Sequence, residues 1–391
     1  MAILKSDDAY PSVVIHCQYV YGIGHYVRAI ELARGLSSRF KVYFLNGGEV
    51  VPNFELPDTV NVVQLPAIYK NETENHLTPV DPSQSLVQCF ELRGNIIKQT
   101  LEAIKPAIII TEHFPFGLLF EKEVMELIHQ AKQWNPTAKI VCSVRDIIES
   151  SEGNKNDSYT CDLINKWYDM VLVHGDEKFA ALSTSFPKIH EIKVPVVQTG
   201  YIARPIPTGK PDKRLPIVLA SIAGGRLGNE LLDAMIDSHK IINERTKYRL
   251  VLFSGAFQAD TKKQRNKIFS LDSDDIQFKT FDSQEYLKCL SEASLVVSLG
   301  GYNSIMESVS ANKPLLVYNR DFAGNNKEQH LRIKLFEKTG HLEVITPEDL
   351  TKERLSNIII KKITNLEVPR CELNMRGVET SRQSLMDLIS Y

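Results

Sequence analysis

The stretch 295–332 constrains this chain most. Residues 295–298 are a short apolar run, the mark of a buried parallel strand. Gly300 and Gly301 follow at once and permit a sharp turn. Asn303 and Ser304 are good N-cap residues for a helix beginning there, which places Glu307 on its first turn. Lys313-Pro314 stops that helix, and 315–318 reads as the next strand. A glycine turn between a parallel strand and a helix offers free backbone N–H groups and the positive end of a helix dipole, which together favour phosphate. A carboxylate one turn further can reach a ribose diol. Taken alone, the two glycines fit an ordinary strand-to-helix connection equally well.

At 391 residues the chain is long enough for two domains. A net charge of -2 gives no reason to expect a nucleic-acid partner. The six cysteines are scattered without metal-ligand spacing and read as buried thiols of a reducing compartment. Residues 1–10 have no apolar core of a signal peptide, and no run reaches the ~18 apolar residues needed to cross a bilayer. The expectation is a cytoplasmic protein with at most peripheral membrane contact. The sequence does not choose between monomer and dimer.

In the first half, 12–17 is a buried strand, and Val27, Ile30, Leu32, Ala33 and Leu36 follow helical spacing. Gly22, Gly24 and His25 therefore occupy the first strand-to-helix turn, at the carboxyl end where open α/β sheets collect ligands. A dinucleotide fingerprint fails here. Its third glycine position is Val27, and the second strand runs into Asn46-Gly47-Gly48 rather than an acid. Read alone, His25 is a helix-N-terminal histidine. Residues 60–65 predict a strand. Residues 67–84 show no period and are expected to form a long substrate loop. Helices are predicted at 85–104, 115–134, 157–168 and 176–182, and strands at 107–111, 139–144 and 170–174. Glu112-His113 and Arg145-Asp146 follow two of these strands. They are either structural ion pairs or solvated charges, or else they place a carboxylate near a reacting hydroxyl.

Residues 205–211 hold three prolines and a glycine, the density of a linker. A second alternation starts with strand 216–221 and a turn containing Gly224, Gly225, Arg226 and Gly228, followed by helix 229–243. Strands at 248–254 and 276–281, and helices at 259–269, 283–292, 326–338 and 373–389, complete it around the opening motif. Each half thus carries about six strands. Neither glycine turn is followed by a Walker lysine, and no metal-binding box is evident, so no cofactor or metal is expected.

Gly-Gly-Tyr-Asn-Ser-x-x-Glu, then Lys-Pro, then Glu-Gln-x-x-Arg together resemble the donor-nucleotide site of GT-B glycosyltransferases. The resemblance is greatest to the MurG-like branch, including its predicted members with Gly-Ile-Gly-His near the N-terminus. It implies an α/β chain of GT-B fold, two Rossmann-like domains facing a central cleft. Residues 1–204 would bind the acceptor and 205–372 the nucleotide-sugar donor, with 373–391 a helix returning over the first domain. It implies that His25 faces the sugar-transfer centre, with Asp146 or Glu112 assisting or replacing it as the base. Residues 199–204 are similar to an interdomain stretch whose arginine, here Arg204, approaches the diphosphate; the alternative for Arg204 is an interdomain salt bridge. Gly24, Gly224, Gly225, Arg226, Gly300, Gly301, Asn303 and Ser304 would line the donor, and Glu307 the ribose. Phe281, with Asp282, would meet the base. Glu328 and Gln329 would meet sugar hydroxyls, or be a solvated helix start. The implied reaction is metal-independent, inverting transfer from a UDP-sugar such as UDP-GlcNAc, a co-substrate rather than a cofactor, to an acceptor hydroxyl. Gly22-Ile-Gly-His-Tyr-Val-Arg28 also matches the UDP-sugar hydrolase of pseudaminic acid synthesis. A non-hydrolysing epimerase and a nucleotide-sugar-binding module without chemistry are further readings.

Overall fold

The apolar runs of the sequence become the inner strands of two parallel sheets in the computed structural model. It describes residues 10–20, 22–70, 76–148, 154–209, 215–222, 224, 227–257, 261–320, 327–365 and 373–390. The first unit contains β1 (Ser12–Cys17), α1 (Gly24–Leu36), β2 (Lys41–Asn46), β3 (Val60–Gln64), β4 (Ile68–Lys70), β5 (Leu77–Pro79), α2 (Leu86–Ile104), β6 (Ile108–Glu112), α3 (Glu121–Trp134), β7 (Lys139–Arg145), α4 (Asn154–Trp167), β8 (Met170–His174) and β9 (Val196–Gln198). The second contains β10 (Ile217–Ser221), α5 (Asn229–Arg245), β11 (Arg249–Phe253), α6 (Lys262–Leu271), β12 (Ile276–Lys279), α7 (Ser283–Glu292), β13 (Leu295–Leu299), α8 (Tyr302–Ser310), β14 (Leu315–Tyr318), α9 (Lys327–Lys338), β15 (Glu343–Ile345) and α10 (Lys352–Thr364). The last helix is α11 (Gly377–Ser390).

The first sheet runs β3-β2-β1-β6-β7-β8-β9 and the second β12-β11-β10-β13-β14-β15, with every pairing parallel. Strand order reverses beside β1 in the first sheet and beside β10 in the second. These are the topological switch points where such sheets bind ligands. The described strands number seven and six, against the expected six each. The additional strand is β9, three residues within the run leading to the linker, too short to give a periodic signal.

Several boundaries differ from expectation for local reasons. The stretch expected as a loop after residue 67 contains an antiparallel hairpin of β4 and β5; residues 71–75 lie outside the described residues. Helix α3 starts at Glu121 rather than 115, because residues 113–120 fold as turns with His113 at φ +71°. Residues 176–182 form turns rather than a helix. Helix α8 starts one residue early and is N-capped by Gly301, so Asn303 and Ser304 sit inside its first turn and Glu307 on its second. Helix α10, which packs on α5, was not expected. Caps set other helix starts: Ser85 and Gln88 exchange bonds at α2. Asp282 accepts from Gln284 N at 3.1 Å and Glu285 N at 2.8 Å at α7, so its carboxylate caps a helix.

Helix α11 packs against α1 of the first unit. Leu385 is fully buried in the apolar cluster that also holds Val27, Ile30, Phe44 and Ile110. A Cβ on Gly35 would lie 1.8 Å from Val378, so glycine lets the two helices approach closely.

Candidate active site

The two switch points meet. A Cβ on Gly224 would lie 1.8 Å from Ile23 Cγ1, and Asn303 Nδ2 donates to the carbonyl of Gly24 at 3.1 Å. Gly22-Ile-Gly-His thus sits against both glycine turns of the second unit. On β13's side, Gly300 is close-packed: a Cβ there would lie 2.3 Å from Ile333 of α9. Around Gly301 there is open space within 4 Å.

His25, the second residue of α1, is fastened at both ring nitrogens. Arg145 Nη2 lies 2.5 Å from Nε2, and Glu112 Oε1 lies 2.8 Å from Nδ1. A guanidinium can only donate, so Nε2 is the acceptor and Nδ1 carries the proton that Glu112 receives. The ring keeps 21% of its side-chain surface exposed, while Glu112 is sealed. Burial, then the charge of Arg145, push His25 down to about 4 against the pull of Glu112, so the ring is neutral near pH 7. Burial alone would raise the Glu112 carboxyl. Arg28, His25 and Ser143 overcome it and hold Glu112 well below the usual carboxylate range. Ser143 Oγ donates to Glu112 Oε2 at 2.7 Å, and Arg28 Nη2 to Oε1. His25 and Glu112 are thus paired in the geometry that a general base and its orienting carboxylate would need, with Arg145 on the ring's other nitrogen.

Asp146 is differently placed. It is fully buried and holds Arg332 through two bonds, 2.7 Å to Nη2 and 3.1 Å to Nε, while Oδ1 also accepts from Ile147 N at 2.9 Å. Both of its oxygens accept hydrogen bonds within the protein, in a side chain with no exposed surface. Arg204 and Glu307 likewise hold one another, through bonds of 2.6 and 3.0 Å. Both are buried, so the salt-bridge alternative for Arg204 is the arrangement present. Phe281 is buried in the first unit's apolar cluster, and its carbonyl accepts from Asn53 Nδ2 at 3.2 Å. Ser304 is buried in α8, and Gln329 is half-buried beside Glu328 on α9. Gly225 and Arg226 lie outside the described residues.

Residues 219–389 match the Glycosyltransferase family 28 C-terminal domain. The UDP-N-acetylglucosamine–N-acetylmuramyl-(pentapeptide) pyrophosphoryl-undecaprenol N-acetylglucosamine transferase of Geobacillus thermodenitrificans is 28% identical over 179 residues, 46% of this chain and 47% of that protein. Its Geobacillus kaustophilus counterpart is 26% identical over 178 residues, 46% and 47% of the two chains. The match therefore spans about half the length of those relatives. Among solved structures, MurG of Acinetobacter baumannii covers 96% of this chain with 100% of its own at a TM-score of 0.55 and 13% identity. The chain has the GT-B fold, and its second half is similar to the MurG transferases. A putative UDP-N-acetylglucosamine 2-epimerase of Listeria monocytogenes shares that fold too, at a TM-score of 0.62, 14% identity, and 98% and 96% coverage. At such identities the likeness speaks for the fold, not for transfer against epimerisation.

In this GT-B frame, four side chains that the motif reading left out of the candidate site stand at its centre. Arg28 is buried with Nη2 on Glu112 and with Nε and Nη1 lacking a hydrogen-bond partner among the described residues. Its position was readable, one helical turn after His25 in Gly-x-Gly-His-x-x-Arg. Arg145 bridges the domains, with Nη1 on Glu328 Oε2 at 2.7 Å. Tyr302 lies between the guanidinium groups of Arg28, at 5.3 Å, and Arg332, at 5.5 Å. Its hydroxyl donates to His174 O at 3.1 Å and accepts from Ile202 N at 3.0 Å. His113 packs against His25 with ring centres 5.0 Å apart and the planes tilted by 50°, from a left-handed backbone at φ +71°.

Proposed function

We propose that the chain transfers a sugar from a UDP-sugar to an acceptor hydroxyl, with inversion and without a metal. The observation that carries this reading is the His25–Glu112 dyad, held where the switch points of both domains meet. His25 Nε2 takes the acceptor proton as the hydroxyl oxygen attacks C1 of the sugar, and the bond from C1 to the diphosphate breaks on the opposite face. Glu112 stays ionised and stabilises the imidazolium through the Nδ1 proton. The N-terminus of α8 and the charge of Arg226 receive the leaving diphosphate. Glu307 meets the ribose, Phe281 the base, and Glu328 with Gln329 the sugar hydroxyls.

The names of the relatives suggest the first substrates to try. They name UDP-N-acetylglucosamine as donor and a pyrophosphoryl-undecaprenol-linked sugar as acceptor. No helix among the described residues is long and apolar enough to cross a membrane. A lipid-linked acceptor would therefore be met at a membrane surface or through its soluble head. The test is a thermal-shift panel of nucleotide sugars, followed by UDP release with and without EDTA. Stabilisation by one UDP-sugar and EDTA-resistant, acceptor-dependent UDP release are expected. No stabilisation by any nucleotide sugar would sink the reading.

A further inference from the structure

The dyad is closed in this structure. Arg145 Nη2 sits 2.5 Å from His25 Nε2, at the position an acceptor hydroxyl must take to hand over its proton. A guanidinium has no acceptor atom, so nothing can be deprotonated there until Arg145 leaves. Its other terminal nitrogen is held by both carboxylate oxygens of Glu328, 2.5 and 2.7 Å away. Glu328 opens α9 of the second domain and also accepts from Arg332 Nη2 at 2.7 Å. The clasp therefore joins the base of one domain to the proposed sugar subsite of the other. The Nε of Arg145 is buried without a hydrogen-bond partner among the described residues, so its guanidinium is not saturated by them.

We infer that Arg145 is a positioning residue that holds His25 closed and releases it when a donor sugar engages Glu328. The inference rests on the transferase reading above and adds to it an order of events. Sugar hydroxyls donating to Glu328 compete for the oxygens that hold Arg145. The freed guanidinium then has the donor's phosphates as a bidentate partner. Only then does Nε2 open to the acceptor, or to water. A base capped before the donor arrives is protected from idle proton exchange.

His25 is the group that reports this. It is faced by Glu112 from β6, His113 from the following turn, Arg28 from α1 and Arg145 from β7, with Glu328 behind Arg145 on α9. Removing Arg145 takes away a cation and leaves the others, so the midpoint of His25 rises. The probe is the imidazole ¹⁵N signal of His25 in the full chain, assigned with His25→Asn and followed against pH. Arg145→Gln is expected to raise the midpoint by about 1 pH unit or more, and Arg145→Lys, which keeps the charge, by less. Adding UDP-N-acetylglucosamine to wild type is expected to move the midpoint toward the Arg145→Gln value, while UDP alone leaves it in place. An unmoved midpoint in folded Arg145→Gln overturns the capping. A bound sugar nucleotide that leaves His25 unmoved overturns the coupling. Failure of both nucleotides to bind overturns the transferase reading and the coupling with it, while the Arg145→Gln comparison still decides the capping. Should Arg145→Gln not fold, the Arg145→Lys and nucleotide arms decide.

Discussion

His25 and Glu112 carry the chemistry proposed here, and their substitutions separate roles that a single activity loss would blur. Losing a general base typically costs about 10²–10⁴-fold in rate with little change in donor binding. For His25→Ala, turnover in the UDP-release assay is expected to fall in that range, while the UDP-sugar titration stays near wild type. Near-normal turnover would remove His25 from the chemistry. Glu112→Gln is expected to do more than slow the reaction, because it leaves Arg28 buried beside a neutral amide. Breaking a buried pair from one side costs about 3–5 kcal/mol, readable as a lower urea midpoint without any substrate. A pH effect follows from the histidines. Burial pushes His25 down to about 4, and His113 and His174 down to about 3, from an unfolded value of about 6.5. Between those values the unfolded chain binds more protons than the folded one. Their stability is complete above about pH 6.5 and is lost as pH falls toward 4, at up to about 1.4 kcal/mol per unit for each histidine. Urea midpoints at pH 7, 6 and 5 should therefore fall, and His174→Gln should flatten the fall. A flat wild-type profile would contradict the neutral state of these rings.

Among the elements, the sequence showed best what depends on neighbours in the chain. The strand–Gly-Gly–helix unit around Gly300 and the Gly-Ile-Gly-His turn were readable because parallel strands and their helices write their own periodicity. Hairpin β4–β5 was not, since three-residue strands give no period. Nor were the cross-domain bonds: Glu307 reads as a ribose ligand from its spacing, whereas its pairing with Arg204 depends on a residue 103 positions away. Asp146 illustrates the same limit, being placed at a strand end by sequence and bound to Arg332 by the fold. The α8 assignment yields its own prediction. Glu307→Ala is expected to lower stability by about 3–5 kcal/mol, because Arg204 is left buried and unpaired. If Glu307 also meets the ribose, UDP affinity falls by a further 1.5–3 kcal/mol or so. Denaturation without nucleotide measures the first effect, and calorimetric titration of the folded variant with UDP the second. Unchanged UDP affinity would remove Glu307 from the donor site and leave it a structural partner of Arg204.

At the scale of the molecule, α11 crosses from the end of the second domain to the first. Leu385 is fully buried among side chains of β1, α1 and β6, and α11 also bonds that domain through Arg382 Nη1 to the carbonyl of Gly35 at 3.2 Å. The terminal segment therefore completes the core of the domain it is farthest from in sequence. Leu385→Ala removes a buried isobutyl group, and such truncations cost about 2–5 kcal/mol, depending on how far the site collapses. The chain itself supplies the reporter that locates this loss. Its two tryptophans, Trp134 on α3 and Trp167 on α4, both lie in the first domain. Tryptophan fluorescence in a denaturant titration thus follows that domain alone. For Leu385→Ala the fluorescence transition is expected at lower urea, by that free energy, while UDP affinity below the transition is little changed, because the proposed donor contacts belong to the second domain. A wild-type fluorescence midpoint would show that α11 rests on α1 without stabilising it. A lost UDP affinity in the folded variant would show instead that closing the first domain over the second is part of the donor site.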